Sequence, residues 1–122
     1  AFWAQAAGAS KADATAAMNR LQLDGRLSDV PVALLSAGQR RRTGLAILLA
    51  QRPRLWLLDE PHAALDKTAR DTLDQIIRQA AAGGAAVMIA SHDHERAGAL
   101  ADRTLTLAGG HFVNADRVVA NG

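Results

Sequence analysis

Two short apolar runs, each followed at once by polar residues, stand out in the hydrophobic pattern of this chain. The first run, 55–58, leads directly into Asp59 and Glu60, and the second, 85–90, leads into Ser91 and His92. Apolar runs without alternation are typical of strands that are covered on both faces. The pattern therefore predicts two buried strands that each end in polar side chains.

Between these strands, apolar residues recur at helical spacing and predict one amphipathic helix of about four turns. The apolar positions are Leu65, Ala69, Leu73, Ile76, Ile77 and Ala80, and the predicted solvent side carries Arg70, Asp71, Asp74 and Arg78. Strand, helix and strand form a βαβ unit, whose strands are parallel. Both polar clusters then lie at the same edge of the sheet, where α/β proteins bind ligands. The predicted fold class is α/β.

The rest of the chain is predicted to be helical before the first strand and to end in a hairpin. The predicted elements are helices over 2–7 and 11–23 with Ser10 as N-cap, a loop over 23–32, a helix from Ser36 to Ala50, a short helix over 95–102, and an edge hairpin of 104–107 and 111–113.

Composition limits the class of protein. The 122 residues fit one domain, of which 49% are hydrophobic and 21% charged. Cysteine is absent, which excludes disulfides and thiolate sites. No apolar run reaches the roughly 18 residues of a membrane span. Residues 1–56 carry 8 basic against 3 acidic side chains, whereas residues 57–122 carry 6 against 9. The acidic half holds the candidate site, which indicates a bound cation.

The pair Asp59 and Glu60 is the main candidate for chemistry. A nuclease or glycosidase dyad is one interpretation, but consecutive strand residues point to opposite faces, which favours two separate tasks. Asp59 is suited to hold Mg²⁺, partly through water. Glu60, just beyond the strand, is suited to orient or deprotonate a water molecule.

A second candidate is the helix that begins at Ser36. Ser36 and Gln39 have the spacing of a capping box, which by itself predicts only a helix start. The alternative is that Gly38 and the free backbone amides of this helix tip bind a phosphate. Arginines at positions 40–42 point in different directions on a helix, so we expect solvation and pairing with acids, without a nucleic-acid-binding stripe.

Several other sites are disfavoured. The cluster His92 to Glu95 has no distant partner for a zinc site. His62 and His111 are expected to face solvent. Leu34 stands where a serine-hydrolase elbow at Ser36 requires glycine. Neither a G-x-G-x-x-G nor a G-x-x-x-x-G-K-[ST] motif occurs in these residues.

Taken together, four ordered motifs resemble the second half of an ABC-type ATPase. LSAGQ at 35–39 resembles the ABC signature, and LWLLDEP at 55–61 resembles the Walker B strand with its catalytic glutamate. Ala64-Leu65-Asp66 is similar to the D-loop, and His92 to the switch histidine. This resemblance implies a P-loop NTPase-like parallel sheet with flanking helices, incomplete here, with part of the helical subdomain. Residues 1–52 would be the helical portion with the signature helix, and 53–122 the C-terminal part of the ATPase core.

The resemblance also implies a role for each matching residue. Asp59 would organise Mg²⁺ on ATP, Glu60 would polarise the hydrolytic water, and His92 would contact the γ-phosphate. Asp66 would couple two sites in a dimer. The γ-phosphate of ATP held mainly by a second ATP-binding subunit would be capped by Ser36, Ala37, Gly38 and Gln39.

Within the family, Ala37, the arginine run and Trp56 are most similar to the ATP-binding subunit of the haem exporter of cytochrome c biogenesis. This implies a transmembrane permease partner, a peripheral place at the cytoplasmic face of the membrane, and no nucleic acid.

The phosphate-binding loop of the family is missing, so we expect a fragment that by itself binds ATP poorly and hydrolyses none. Two alternatives are a soluble ABC ATPase acting on DNA or ribosomes and a non-enzymatic interaction module. A sheet without its neighbours should also expose apolar surface and self-associate.

Overall fold

The computed structural model describes residues 8–23 and 25–117. The elements in chain order are α1 (Lys11–Arg20), α2 (Ala37–Gln51), β1 (Leu55–Asp59), α3 (Lys67–Ala82), β2 (Ala86–Ala90), α4 (His94–Leu100), β3 (Arg103–Ala108) and β4 (His111–Arg117). Two short 3-10 turns, Gly25–Asp29 and Val32–Leu34, lie within or just beyond the segment predicted to be a loop. The helix predicted over 2–7 lies outside the described residues.

The predicted βαβ unit is confirmed. Strands β1 and β2 are parallel neighbours, paired in register from Leu55 opposite Ala86 to Asp59 opposite Ala90. Helix α3 connects them, and its N-cap is Asp66, whose side chain accepts a hydrogen bond from the Ala69 amide at 2.8 Å. Because both strands end at the same level, the residues that follow them meet at one edge of the sheet.

The core lies between this small sheet and the helices. Trp56 of β1 is 3% exposed, and its indole N–H donates to the Pro53 carbonyl at 2.9 Å. The apolar face of α3 is buried as predicted, with Leu73 fully inaccessible to solvent. Helices α1 and α2 add residues to the same buried cluster, which includes Leu21, Leu45, Ala46 and Ala50. This buried cluster includes residues from both predicted portions, 1–52 and 53–122. The boundary between residues 52 and 53 stays a prediction.

The prediction that β1 is covered on both faces is wrong for the described residues. Exposure alternates along the strand: Trp56 is buried, whereas Leu55 and Leu57 are 57% and 68% exposed. Met88 of β2 is 61% exposed as well. The helices cover one face of the two-stranded sheet, and no described element covers the other. The expected exposed apolar surface is therefore present, and self-association through it stays a prediction.

The terminal hairpin forms as predicted but does not extend the parallel sheet. Strands β3 and β4 pair antiparallel with each other around a turn at Gly109 and Gly110, both with positive φ. In the described part of the chain they form a second, separate two-stranded sheet. The expectation of an edge hairpin is thus corrected in its placement: the hairpin forms, but in the described part of the chain it pairs with neither β1 nor β2.

Among residues 8–23 and 25–117, no helix is both long and apolar enough to cross a membrane. The longest, α3, is 16 residues and carries one polar face.

Candidate functional site

Glu60 occupies a special backbone position at the end of β1. Its φ of 45° lies in the left-handed region, which is uncommon for a residue with a side chain. The Glu60 amide donates to the Ala90 carbonyl at 2.8 Å, so the turn is anchored to the end of β2. Backbone strain of this kind is concentrated at functional sites, since the surrounding structure must maintain it.

The Glu60 carboxylate joins the ends of the two strands. Oε1 accepts the His92 backbone amide at 2.8 Å and is in short contact with His92 Nδ1, while Ser91 Oγ donates to Oε2 at 3.4 Å. The hydrogen bond from the His92 ring lowers the pKa of Glu60 below its ordinary value; burial opposes this, and the His92 amide supports it. Glu60 is therefore ionised at neutral pH. The prediction that Glu60 and His92 share one sheet edge is confirmed.

Asp59 is the exposed last residue of β1. Its carbonyl accepts a hydrogen bond from Arg41 Nη1 at 3.5 Å, and no described group bonds its carboxylate. Three ligating side chains do not cluster anywhere in the described ranges. A free carboxylate at a strand end fits a magnesium ion that keeps most of its water, because Mg²⁺ is commonly bound through one or two protein carboxylates.

The start of α2 is a complete capping box. Ser36 Oγ accepts from the Gln39 amide at 3.1 Å, and Gln39 Oε1 accepts from the Ser36 amide at 2.9 Å. The amides of Ala37 and Gly38 fill the first two helical positions, where no intrahelical acceptor exists. Since Ser36 is exposed, this tip can present two N–H groups to an anion outside the chain. The capping interpretation and the phosphate interpretation are thus compatible.

Gly38 holds the tip of α2 against the turn that follows Glu60. A Cβ atom at position 38 would lie 2.7 Å from the Ala64 carbonyl oxygen, closer than real contacts allow. Ala64 itself has a φ of 62°. The glycine is therefore required for this close approach of two backbone segments.

The structure does not join all predicted site residues directly. Within the described ranges, no hydrogen bond links the segment 36–39 to Asp59, Glu60 or His92. Asp66 uses its carboxylate to cap α3. A role for Asp66 in coupling two sites stays a prediction.

The arginine run behaves differently from the expectation of pairing with acids. Each of Arg40, Arg41 and Arg42 donates to a backbone carbonyl, of Leu35, Asp59 and Leu21 respectively. Their divergent directions are as predicted, but their partners are not. They connect α2 to the segments around it.

A buried polar group near the site was missed by the sequence patterns. His62 was expected to face solvent and Asp74 to lie on the wet side of α3, yet their side chains are only 5% and 12% exposed. His62 Nε2 bonds Asp74 Oδ1 at 2.7 Å, and Arg96 Nη1 bonds Asp74 Oδ2 at 2.6 Å. The hydrogen bonds among these groups offset the free-energy cost of burying each of them. A pattern of single polar residues in the sequence does not reveal such pairing. His111 is exposed, as expected.

Comparison with known protein families gives a consistent result. The family model described as ABC transporter matches residues 3–63. The cytochrome c biogenesis ATP-binding export protein CcmA of Hyphomonas neptunium is 46% identical over 93 residues, covering 76% of this chain and 47% of that protein. Its namesake from Rhodospirillum rubrum is 41% identical over 92 residues, covering 75% of this chain and 39% of that protein. The chain thus spans less than half the length of these curated relatives.

Solved structures support the fold. The dimeric structure of MJ0796, a bacterial ABC transporter cassette, superposes with a TM-score of 0.78 at 25% identity, covering 87% of this chain and 46% of that one. A post-hydrolysis state of the same cassette, bound to ADP and Pi, superposes equally well. A bacterial Atm1-family ABC exporter with ATP bound has a TM-score of 0.75 at 23% identity, covering 90% of this chain and 21% of that one. The partial P-loop NTPase-like fold expected from the motifs is confirmed.

Proposed function

The chain belongs to the ABC transporter family, and from this premise we propose that it forms part of the ATP-binding and ATP-hydrolysing subunit of such a transporter. The observation that carries the proposal is the junction of Glu60 and His92 across the ends of β1 and β2. The side chains of Glu60 and His92 are 35% and 98% exposed, so the core does not require this pair and a ligand can reach it. An ATPase needs a residue that positions the attacking water beside its phosphates, and Glu60 can fill that role.

In this proposal each residue at the sheet edge has one task. Asp59 holds Mg²⁺, which, when bound, neutralises the charge that develops on the transferring phosphoryl group. Glu60 orients the attacking water. Its carboxylate is ionised at neutral pH, so it can accept a hydrogen bond from this water and polarise it. His92 donates to the γ-phosphate after its ring leaves Glu60.

The tip of α2 serves a different copy of the site. Ser36 to Gln39 lie exposed or half-buried at the surface and make no hydrogen bond to Glu60 or His92 within the described ranges, which supports a role toward a partner. We therefore propose a dimer in which the amides of Ala37 and Gly38 and the Ser36 hydroxyl cap a γ-phosphate held by the second subunit. Asp66 lies just beyond the turn that Gly38 contacts, and it would couple the two sites of this dimer.

The finer function follows from the relatives. Two curated proteins named for cytochrome c biogenesis export are 46% and 41% identical to this chain, which supports haem export for cytochrome c biogenesis. The partners would be a second ATP-binding subunit and a transmembrane permease at the cytoplasmic face of the membrane. These names favour transport over action on DNA or ribosomes. The inability of these 122 residues alone to hydrolyse ATP stays a prediction.

Replacing Ser36 by Asp separates the two roles of the tip of α2. Aspartate caps a helix as well as serine does, so the stability of the complete protein should be unchanged. A carboxylate about 4 Å from a phosphate costs roughly 1–4 kcal/mol at a protein surface. Turnover of Mg-ATP should therefore fall by between about fivefold and several hundredfold, as measured by phosphate release.

Ser36→Ala is the matched control, because it removes the cap without adding charge. It should cost about 1 kcal/mol of stability in chemical denaturation and lower turnover less than Ser36→Asp does. Wild-type turnover in a folded Ser36→Asp protein would contradict the proposed phosphate contact. Absence of Mg-ATP turnover in the unaltered complete protein would overturn the proposed function itself.

A further inference from the structure

His62, Asp74 and Arg96 connect three elements around the Glu60–His92 junction. His62 lies in the turn after β1, Asp74 on α3 and Arg96 on α4. Asp74 bonds His62 with one carboxylate oxygen, at 2.7 Å, and Arg96 with the other, at 2.6 Å. We call these three residues the bridge.

The bridge closes a ring with the candidate catalytic pair. Glu60 is separated from His62 by one residue along the chain, and His92 from Arg96 by three. The segment between His92 and Arg96 begins α4, where the Asp93 side chain caps the helix by accepting the Arg96 amide at 3.1 Å. The turn after β1 and the start of α4 are therefore joined at two places: by the Glu60–His92 contact and by the bridge.

Burial separates this bridge from ordinary surface pairs. The side chains of His62, Asp74 and Arg96 are 5%, 12% and 24% exposed. The neighbouring pair of Lys67 and Asp71 is 87% and 46% exposed. A hydrogen-bonded charge network shielded from water is stronger and more rigid than an exposed pair.

One atom in the bridge shows which way the His62 ring is held. Because the Asp74 carboxylate can only accept, His62 donates from Nε2, and its buried Nδ1 has no partner in the described part of the chain. A buried ring nitrogen without a partner is costly. The bond to Asp74 is thus the single polar contact of this ring in the described part of the chain, and it adds to the backbone hydrogen bonds that hold the turn after Glu60.

We propose that the His62–Asp74–Arg96 bridge is a positioning device that holds Glu60 against His92. None of the three residues touches the reacting atoms; they act by fixing the turn after β1 relative to α4. The functional meaning of this inference rests on the proposed roles of Glu60 and His92. Its geometric content can be tested without nucleotide.

The test uses Arg96→Gln in the complete, ¹⁵N-labelled protein, observed by NMR at about pH 8.5, two units above the ordinary histidine pKa. In the unaltered protein the proton of the His92 ring should lie on Nδ1, which donates to Glu60. In Arg96→Gln the ring should become a mixture of both tautomers. Exchange of the His92 amide with solvent should speed up at least about tenfold, since its bond to Glu60 opens more often.

Lys67→Gln is the matched control. It also replaces one cation that pairs with Asp71, but it leaves the bridge intact. Its His92 tautomer and amide exchange should equal those of the unaltered protein. If both variants change His92 equally, general charge loss is responsible and the bridge has no positioning role.

A folded Arg96→Gln protein with an unchanged His92 tautomer and unchanged exchange would overturn the inference. Should Arg96→Gln fail to fold, Arg96→Lys is observed in the same way. Intermediate changes at His92 would support the positioning role of the bridge. An unchanged His92 tautomer and unchanged amide exchange would refute it. If the proposed ATPase function were wrong, these NMR signals would still respond to Arg96→Gln. Failure of the functional proposal and failure of the positioning proposal are therefore distinguishable.

Discussion

Changing Glu60 to Gln in the complete protein should abolish Mg-ATP turnover while nucleotide affinity is retained. The amide keeps the size of the side chain and can still accept the His92 amide hydrogen bond. It loses the negative charge that orients and polarises the attacking water. Removal of a positioned general base typically costs about 10²–10⁴-fold in rate. Phosphate release and equilibrium binding of a nucleotide analogue measure the two quantities separately.

Glu95→Gln provides the control for this substitution. Glu95 is an exposed acid in the first turn of α4, close to the same sheet edge. The same chemical change there should leave turnover at the wild-type value. Unchanged turnover in Glu60→Gln, or a loss that parallels weaker nucleotide binding, would refute the role of Glu60.

Gly38→Ala should damage both the stability and the activity of the complete protein. The added Cβ would lie 2.7 Å from the backbone oxygen of Ala64, and a carbonyl fixed in a left-handed turn cannot move aside cheaply. Overpacking of this kind costs about 1–3 kcal/mol in the free energy of unfolding. It should also displace the tip of α2, and an error of about 1 Å in a site can lower the rate about 10²-fold.

Gly44 is the natural comparison, because it lies on the same helix with open space around its Cβ position. Gly44→Ala should stabilise the protein by about 0.5–1 kcal/mol through helix propensity and leave turnover unchanged. Denaturation midpoints and phosphate release report on both variants. A Gly38→Ala protein as stable and active as the Gly44→Ala protein would show that the contact with Ala64 is unimportant.

The sequence pattern predicted those parts of the fold that follow from apolar spacing, from local hydrogen bonds and from the order of strands and helices. The apolar positions Leu65, Leu73, Ile76 and Ile77 are buried as their helical spacing indicates. The capping box at Ser36 and Gln39 forms because its two hydrogen bonds are local. Polar residues after two parallel strands meet at one edge because the strands run in register.

The errors concern features that depend on a partner elsewhere in the chain. An apolar run such as Leu55 to Leu58 does not reveal how many of its faces the available elements cover. The polarity of His62 and Asp74 predicts that they face solvent, but together they satisfy most of their hydrogen-bonding needs in the interior. The arginines of α2 bind carbonyls, and backbone acceptors leave no trace in a sequence pattern.

In the proposed dimer, the sheet edge at Glu60 and the helix tip at Ser36 are two halves of one site, supplied by different subunits. The direct test mixes equal amounts of Glu60→Gln protein and Ser36→Asp protein, each of which has a lower turnover than the wild type when alone. A mixed dimer then holds one site with both defects and one with neither. With random pairing, half of the dimers are mixed, so about a quarter of the wild-type turnover should return. Turnover that stays at the sum of the two separate variants would contradict a shared site.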